Sequence, residues 1–171
     1  MRHGETEANA RDMICGRTDL ALTPRGLDQA RQAADALRGS GIEVVLTSPL
    51  MRARQTAETI AGMLGLAPIN IAGLAERNWG AWEGAPQATL RRDDTPPGGE
   101  APVIFHDRIA RAFRALDLAG STLIVAHSGT AREIRRLLPP AEHDRMQNGE
   151  IRRWICAGGR WTCHEFFKPA P

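Results

Sequence analysis

The sequence predicts an α/β fold with a largely parallel central sheet. Short apolar runs typical of strands alternate with segments that carry apolar residues at helical spacing. One of these runs, "STLIVAH", is apolar almost throughout, as expected for a buried strand. In folds of this class, ligands bind at the carboxyl ends of the strands. The residues that follow the predicted strands are therefore the first candidates for a functional site.

The first predicted helix carries its own start and stop signals. Thr23 is a typical N-cap residue, Pro24 takes the first helical position, and Gly39 lies beyond the end. The next segment, "EVVLTSP", predicts a short buried strand from Val44 to Thr47 that Pro49 stops. Alternation of helix and strand begins with this pair.

The second helix and a short strand continue this alternation. The segment "MRARQTAETIAGMLG" has apolar residues at helical spacing and ends at Gly65, and "APINIAG" predicts a short strand. From Leu74 to Pro102 the pattern gives way to Trp, Gly and Pro. A connection of this length inside a compact domain is usually functional, so we expect it to determine substrate specificity.

Regular structure returns in the last third of the chain. We predict a helix in "VIFHDRIARAFRALDL", a strand in "STLIVAH", a helix in "TAREIRRLL" and a hairpin that turns at Ala157-Gly158-Gly159. No internal repeat or linker divides the chain. The prediction is a single domain over residues 1–171.

Composition narrows the class of protein. Of the 171 residues 42% are hydrophobic and 25% charged, which is typical of soluble globular domains. No apolar run is long enough to span a bilayer, so we expect a cytoplasmic protein without a membrane partner. The formal charge of +2 is small and its cations are scattered, which argues against a nucleic-acid partner.

The three cysteines, Cys15, Cys156 and Cys163, form no CxxC pair, and their odd number argues against a disulfide framework. Cys163 and His164 lack further ligands at workable spacing. We therefore expect no metal site and no bound cofactor.

The strand that ends at His127 predicts an anion site. Ser128 and Thr130 place hydroxyls at the positions that cap the following helix, whose first backbone N–H groups are free to bind an anion. Arg2 and His3 add a guanidinium fork that fits two phosphate oxygens and an imidazole that can act as a nucleophile. Taken alone, His127 could equally be a structural histidine and Arg2-His3 a solvated terminus.

Five segments in order resemble one family. The segments "RHGETEAN", "GRTDLALTPRG", "TSPLMRARQTA", "LAERNWGAWEG" and "VAHSG" are similar to those of the histidine phosphatase superfamily, which includes phosphoglycerate mutases and small-molecule phosphatases. The resemblance runs from Arg2 to about Leu138. It implies a three-layer sandwich, with helices on both faces of a mostly parallel sheet, and a phosphoryl-transfer activity.

The same resemblance assigns a role to each matching residue. His3 would accept the phosphoryl group and become phosphohistidine, while Arg2 and Arg52 bind the phosphate oxygens. His127 would be the second histidine of the pocket, and Glu76 would donate a proton to the leaving oxygen. Asn9 and Ser128 would add substrate contacts. By spacing alone, Arg52 could lie on a solvated helix face and Glu76 could form a surface ion pair with Arg77.

The resemblance favours hydrolysis of a small phosphomonoester. Phosphoglycerate mutases carry a considerably longer insert between the residues that correspond to Glu76 and His127. Mutase activity is the second hypothesis for the function, and a non-catalytic domain that binds a phosphorylated ligand is the third. The sheet edge near Trp154 and Trp161 could also pair two copies of the chain into a homodimer.

One departure from the family concerns the first strand. Family members have a short apolar strand immediately before the Arg-His pair, in the middle of the sheet and beside the strand that ends at His127. Only Met1 stands there in this chain. We expect this strand to be missing and a late start of the chain to be the cause. We further expect His3 to lose the rigid support that a nucleophile needs.

Overall fold

The computed structural model describes residues 1–138 and 145–170. Its helices are α1 (Glu7–Ala10), α2 (Pro24–Ala36), α3 (Met51–Leu64), α4 (Pro102–Arg114) and α5 (Ser128–Leu137). Its strands are β1 (Val44–Thr47), β2 (Pro68–Asn70), β3 (Thr122–Val125), β4 (Ile151–Ala157) and β5 (Arg160–Phe167). The predicted α/β fold with a parallel sheet flanked by helices is confirmed.

The helix boundaries follow from the signals in the sequence. The Thr23 hydroxyl accepts a hydrogen bond from Gly26 N–H at 3.0 Å, and Pro24 opens α2 as predicted. Gly65 ends α3 in the left-handed conformation with a φ of 70°. The segment between Leu74 and Pro102 contains only short 3₁₀ turns among its described elements, so its irregular composition is also reflected in the structure.

The parallel sheet has the order β2-β1-β3, with helices on both of its faces. Leu123 and Val125 of β3 pack in a core with α2 and α3, whereas Ile124 packs against a second core formed with α4 and α5. Successive side chains of a strand point to opposite faces, so the two cores lie on opposite sides of the sheet. This is the three-layer arrangement.

The hairpin of β4 and β5 forms a separate antiparallel pair. Its turn residues Gly158 and Gly159 have φ values of 56° and 76°, which only glycine adopts without strain and which two-residue hairpin turns require. The predicted hairpin and its turn are confirmed.

The first residues of the chain lie between the two sheets. Arg2 forms a parallel bridge with Ala126, and its N–H donates to Glu150 O at 3.1 Å. The His3 N–H donates to Ala126 O at 3.0 Å, and His3 O accepts from Gly149 N–H at 3.1 Å. Backbone on both sides therefore holds His3, so the expectation that it lies on a loose end is wrong.

Beside this bridge, the gap between β3 and β4 contains a cavity of about 530 Å³. Its walls are largely apolar and include Leu123, Ile124, Trp154 and Trp161. The amino group of Met1 also faces this cavity and donates to Ile124 O at 2.8 Å. Burial lowers the pKa of that amino group to about 5. The backbone of residues 1–3 thus connects the end of β3 to the segment before β4.

None of the helices in residues 1–138 and 145–170 combines the length and the apolar character that crossing a membrane requires.

Candidate active site

Six of the predicted site residues line one small cavity of about 60 Å³. It lies where β1 and β3 end, and its walls include Arg2, His3, Asn9, Arg52, Glu76 and Ser128. The seventh predicted residue, His127, packs its ring edge-on against the His3 ring with 5.1 Å between centroids. Segments that are far apart in the sequence therefore converge on one point, as the strand ends predict.

Hydrogen bonding defines the tautomer of His3. Its Nδ1 lies 2.6 Å from Gly4 O, and because a carbonyl oxygen can only accept, Nδ1 carries the proton. Nε2 then carries the lone pair, which accepts from Arg52 Nε–H at 3.3 Å and becomes the nucleophile once a phosphate takes over that donor. Close packing fixes this segment further, since a Cβ on Gly4 would collide with the backbone of Gly26 in α2. The imidazole is buried and held in one orientation.

The surroundings of His3 keep its imidazole neutral. Burial is the largest cause, and the guanidinium charges of Arg52 and Arg2 follow; together they hold the pKa of His3 well below its ordinary value of 6.5. A neutral imidazole retains the lone pair that attack on phosphorus requires. The two guanidinium charges therefore add to the larger effect of burial.

Arg52 is fully buried, so a solvated position on α3 is excluded. Its guanidinium donates to Gly16 O at 2.8 Å and to Thr18 O at 2.9 Å, while its Nε lies 3.3 Å from His3 Nε2. The carbonyls of the 16–18 loop therefore fix the fork in place beside the nucleophile. This anchoring is preorganised, as stabilisation of a phosphoryl group requires.

Arg2 approaches the same cavity from the strand bridge. Its Nη1 donates to Met146 O at 2.8 Å, and its Nε is buried without a partner among the described residues. Burial, with the charge of Arg145 as the next cause, lowers the pKa of Arg2 to about 10. A guanidinium with an unsatisfied buried donor is poised to bind an anion.

Ser48 orients the imidazole of His127. The Ser48 hydroxyl accepts from Leu50 N–H at 3.3 Å and lies 2.7 Å from His127 Nε2. We assign the hydroxyl proton to the contact with Nε2, which places the imidazole proton on Nδ1. This Nδ1 is buried without a partner in the described part of the chain. It is a free donor beside the nucleophile.

Burial also dominates the titration of His127. With the charge of Arg52 as the second cause, it holds the pKa of His127 well below 6.5. The two imidazoles are therefore both neutral: the lone pair of His3 accepts from Arg52, and the N–H of His127 has no partner among the described residues.

Glu76 caps helix α5 with its carboxylate. Its two oxygens accept from Arg77 N–H and Gly129 N–H, both at 2.8 Å. A Cβ on Gly129 would displace this carboxylate, so glycine allows the two groups to approach each other. The surface ion pair with Arg77 is not formed, because the Arg77 guanidinium donates to the carbonyls of Arg92, Asp94 and Glu100.

The prediction that hydroxyls cap α5 is wrong. The helix begins at Ser128, and the side chain of its N-cap residue His127 makes no capping hydrogen bond. The Thr130 hydroxyl instead donates to Leu74 O at 3.2 Å, away from the helix end. Glu76 reaches the helix from a distant segment and takes the place that a local hydroxyl would fill.

Asn9 and Ser128 line the cavity as the resemblance implies. The Asn9 carbonyl oxygen accepts from Thr6 N–H at 3.1 Å and from Asn148 Nδ2 at 2.9 Å. Its amide NH₂ thus keeps donor capacity for a ligand. Trp79 also borders the cavity, and the Trp82 ring stacks on the Trp79 ring with 6.3 Å between centroids.

Sequence reasoning missed several residues that build this site. Ser48 orients His127, Thr56 accepts from Gly4 N–H at 3.1 Å, and Asn148 donates to Asn9. Ser48 directly follows the strand β1, which is the signal that could have identified it. Among the described residues, no cluster of three His, Cys, Asp or Glu side chains could hold a metal ion.

Known proteins resemble this chain over nearly its whole length. The family model described as histidine phosphatase superfamily (branch 1) matches residues 1–168. A Bacillus subtilis (strain 168) protein named "Uncharacterized phosphatase PhoE" is 30% identical over 176 residues, covering 97% of this chain and 91% of its own length. A 2,3-bisphosphoglycerate-dependent phosphoglycerate mutase from Methylobacterium radiotolerans is 31% identical over 179 residues, covering 91% of this chain and 84% of the mutase.

A solved structure is also similar. The crystal structure of a putative alpha-ribazole-5′-P phosphatase from Escherichia coli K-12 matches with a TM-score of 0.84 and 28% identity. The match covers 96% of this chain and 92% of that one. The likeness therefore extends across the segments that line the cavity.

Proposed function

The chain belongs to the histidine phosphatase superfamily, and on that basis we propose that it hydrolyses a small phosphomonoester through a phosphohistidine at His3. In the first step, the lone pair of His3 Nε2 attacks phosphorus while the bond to the alcohol oxygen breaks. Glu76 donates a proton to that oxygen, so a neutral alcohol leaves. In the second step, water attacks the phosphohistidine, gives a proton to Glu76 and releases inorganic phosphate.

Positioning and charge neutralisation supply the rest of the catalysis. Phosphoryl transfer spreads negative charge over the nonbridging oxygens, and the Arg2 and Arg52 guanidinium groups with the His127 Nδ1–H would bind them. The chain's own side chains supply the nucleophile, the proton donor and these charges, so this mechanism uses no metal ion or cofactor.

One observation carries the proposal. The lone pair of His3 Nε2 accepts from the Nε–H of a fully buried arginine at 3.3 Å, next to a second buried imidazole with an unpartnered N–H. A purely structural histidine would have a hydrogen-bond partner for such a buried donor. The arrangement fits a tetrahedral anion bound at the nucleophile.

Mutase activity is the second candidate, favoured by the likeness to a phosphoglycerate mutase. A mutase must keep water from the phosphohistidine and return the phosphoryl group to the bound intermediate. The short segment between Glu76 and His127 offers little cover for that purpose, which supports hydrolysis. The non-catalytic reading has less support, because the first residues hold His3 by hydrogen bonds on both sides.

The proposal is tested by measuring phosphate release from p-nitrophenyl phosphate and from glycerol phosphates. We expect release by the wild-type chain and none above background by His3→Ala. His164→Ala is the matched control, since His164 is an exposed histidine of β5, and it should keep wild-type turnover. Predominant isomerisation of a phosphoglycerate in the presence of a bisphosphate primer would instead establish the mutase.

A further inference from the structure

Glu83, in the Trp, Gly and Pro-rich segment, faces the 16–18 loop that anchors Arg52. Its Oε1 accepts from Arg17 N–H at 2.7 Å, and its Oε2 accepts from Thr18 N–H at 2.7 Å. The Thr18 hydroxyl also donates to Oε2. Three donors of one short loop therefore converge on a single carboxylate from a distant part of the chain.

The same carboxylate also binds its own segment. Trp79 N–H donates to Glu83 Oε1 at 3.1 Å, and Trp79 forms part of the wall of the active-site cavity. The 16–18 loop and this segment are in close contact, since a Cβ on Gly16 would collide with the carbonyl oxygen of Arg77. Glu83 thus fastens the loop to the segment that forms one wall of the cavity.

Hydrogen bonds keep the Glu83 carboxylate ionised. Burial alone would raise the pKa of this partly buried group, but the hydrogen bonds from Thr18 and from the backbone N–H groups of Arg17 and Trp79 outweigh burial and lower that pKa. Each of these donors binds the anion more strongly than it would bind a protonated carboxyl. The anion is therefore the species that holds the loop at neutral pH.

One peptide unit connects Glu83 to Arg52. The N–H of Arg17 and the carbonyl of Gly16 belong to the same peptide bond, which is planar and trans, so the two groups point in opposite directions. The N–H donates to Glu83, and the carbonyl accepts from Arg52 Nη2 at 2.8 Å. A carboxylate on the N–H side also polarises the amide, which makes its carbonyl a stronger acceptor.

Thr18 makes the second connection between the two side chains. Its N–H and hydroxyl bind Glu83, while its carbonyl accepts from Arg52 Nη1 at 2.9 Å. Both arms of the Arg52 fork are thus held by carbonyls of residues that Glu83 fixes. Because Arg52 Nε lies 3.3 Å from His3 Nε2, a shift of the loop would move the fork relative to the nucleophile.

We infer that Glu83 is a positioning residue, which through the 16–18 loop holds the Arg52 guanidinium in the orientation that binds the phosphoryl group beside His3. The inference rests on the proposed function, in which Arg52 is a phosphate ligand. Glu83 is not among the residues that line the described cavity, so it acts through the loop and not on the substrate. A small displacement of a positioned group is costly in rate, so loss of this carboxylate should slow phosphoryl transfer.

A double-mutant cycle between Glu83 and Arg52 tests the inference. Glu83→Gln places an amide NH₂ group against the donors of the loop, so kcat/KM for p-nitrophenyl phosphate should fall about tenfold to a hundredfold. In the Arg52→Gln background the same substitution should change kcat/KM by less than about threefold, because the fork that Glu83 positions is gone.

Glu58→Gln is the matched control of this cycle. Glu58 is an exposed glutamate of α3, the helix that carries Arg52, and its variant should keep wild-type turnover. No loss of kcat/KM in Glu83→Gln, or equal losses with and without Arg52, would overturn the inference and leave the proposed hydrolysis standing.

A milder variant keeps the test decisive if Glu83→Gln does not fold. Thr18→Val removes one donor to the Glu83 carboxylate from an exposed position. Its kcat/KM should fall about threefold to tenfold in the wild-type background, since a hydrogen bond to a charged group is lost, and should not fall in Arg52→Gln. A loss that persists without Arg52 would contradict the inference.

NMR of the Arg52 side chain decides the inference without any turnover. Different carbonyls hold its two Nη groups, so their ¹H–¹⁵N signals should be separate in the wild type, and they should broaden or merge in Glu83→Gln or Thr18→Val as the guanidinium rotates. The Arg77 fork, which the carbonyls of Arg92 and Asp94 hold, is the internal reference. Unchanged Arg52 signals would overturn the inference, whereas absence of phosphate release from every compound would overturn only the proposed function.

Discussion

The Ser48 hydroxyl lies 2.7 Å from His127 Nε2 and orients that imidazole, whose Nδ1 carries the proton and has no partner among the described residues. Ser48 follows β1 and His127 follows β3, so the parallel pairing of these neighbouring strands brings the two residues together. Both imidazoles carry the proton on Nδ1, and they differ in the nitrogen that each ring offers to a ligand. His3 presents a lone pair and His127 presents a donor, which is what a phosphoryl acceptor and an oxygen ligand respectively require.

Removal of the Ser48 hydroxyl should lower kcat without a comparable rise in KM. In Ser48→Ala the His127 Nε2 loses its donor, so Nδ1 no longer has to carry the proton, and we expect kcat to fall about tenfold to a hundredfold. Ser48→Thr keeps a hydroxyl and should retain most of the wild-type kcat. The imidazole ¹⁵N shifts of wild-type His127 should show a protonated Nδ1. A proton on Nε2 would contradict this assignment.

Glu76→Gln should discriminate between leaving groups. An alkoxide needs a proton as it leaves, so kcat for glycerol 2-phosphate should fall about a hundredfold or more. p-Nitrophenolate leaves without protonation, and turnover of p-nitrophenyl phosphate should fall much less. The glutamine carbonyl can still accept from Gly129 N–H, so the helix cap is retained in part. Equal losses for both substrates would show that Glu76 serves the structure rather than proton transfer.

The stability of the fold should decrease as the pH falls below about 6.5. His3 and His127 are buried with their pKa values held well below 6.5, whereas in the unfolded chain they titrate near that value. The unfolded state therefore binds protons that the folded state does not. Stability is fully present above the unfolded pKa and is lost below it, by about 1.4 kcal/mol per pH unit for each imidazole.

Urea unfolding at a series of pH values checks this dependence. A His3→Gln/His127→Asn double variant lacks both imidazoles, so its free energy of unfolding should vary less steeply over the same range. The exposed-histidine variant His164→Ala should follow the wild type. Parallel slopes for the wild type and the double variant would mean that these imidazoles do not titrate as the structure indicates.

The cavity between β3 and β4 should accept an added strand. Extending the chain before Met1 by a short run of valine and isoleucine would place apolar side chains against Leu123 and Trp154, and it would replace the buried amino group by an amide. We expect a gain of about 3 kcal/mol in the free energy of unfolding, since each buried side chain contributes about 1.5–3 kcal/mol. A Gly-Ser extension of equal length is the control. Equal melting temperatures for the two extensions would show that the cavity does not admit a strand.

Local patterns in the sequence predicted the elements well. The cap at Thr23, the stop at Gly65 and the apolar run before His127 depend on neighbouring residues, and each is confirmed. The order of helices and strands then predicted the edge of the sheet where the site lies. These features are encoded within a few residues of one another, so a single sequence contains them.

Long-range contacts could not be predicted in the same way. Glu76 caps α5 from a segment about fifty residues earlier. The carbonyls of Gly16 and Thr18, in the connection between α1 and α2, anchor Arg52 of α3. Carbonyl oxygens leave no mark in the sequence, because every residue has one. The buried state of Arg52 therefore became visible only with the fold, as did the hydrogen bonds that hold His3 between two sheets.

The central claim is that His3 Nε2 takes the phosphoryl group, and trapping that adduct tests it most directly. The wild-type chain should be quenched in alkali during turnover of a ³²P-labelled phosphomonoester and digested for mass spectrometry. The account predicts an acid-labile, alkali-stable phosphoryl group on His3 that is absent from His3→Ala. Label on another residue, or steady hydrolysis with no labelled protein at any time point, would contradict it.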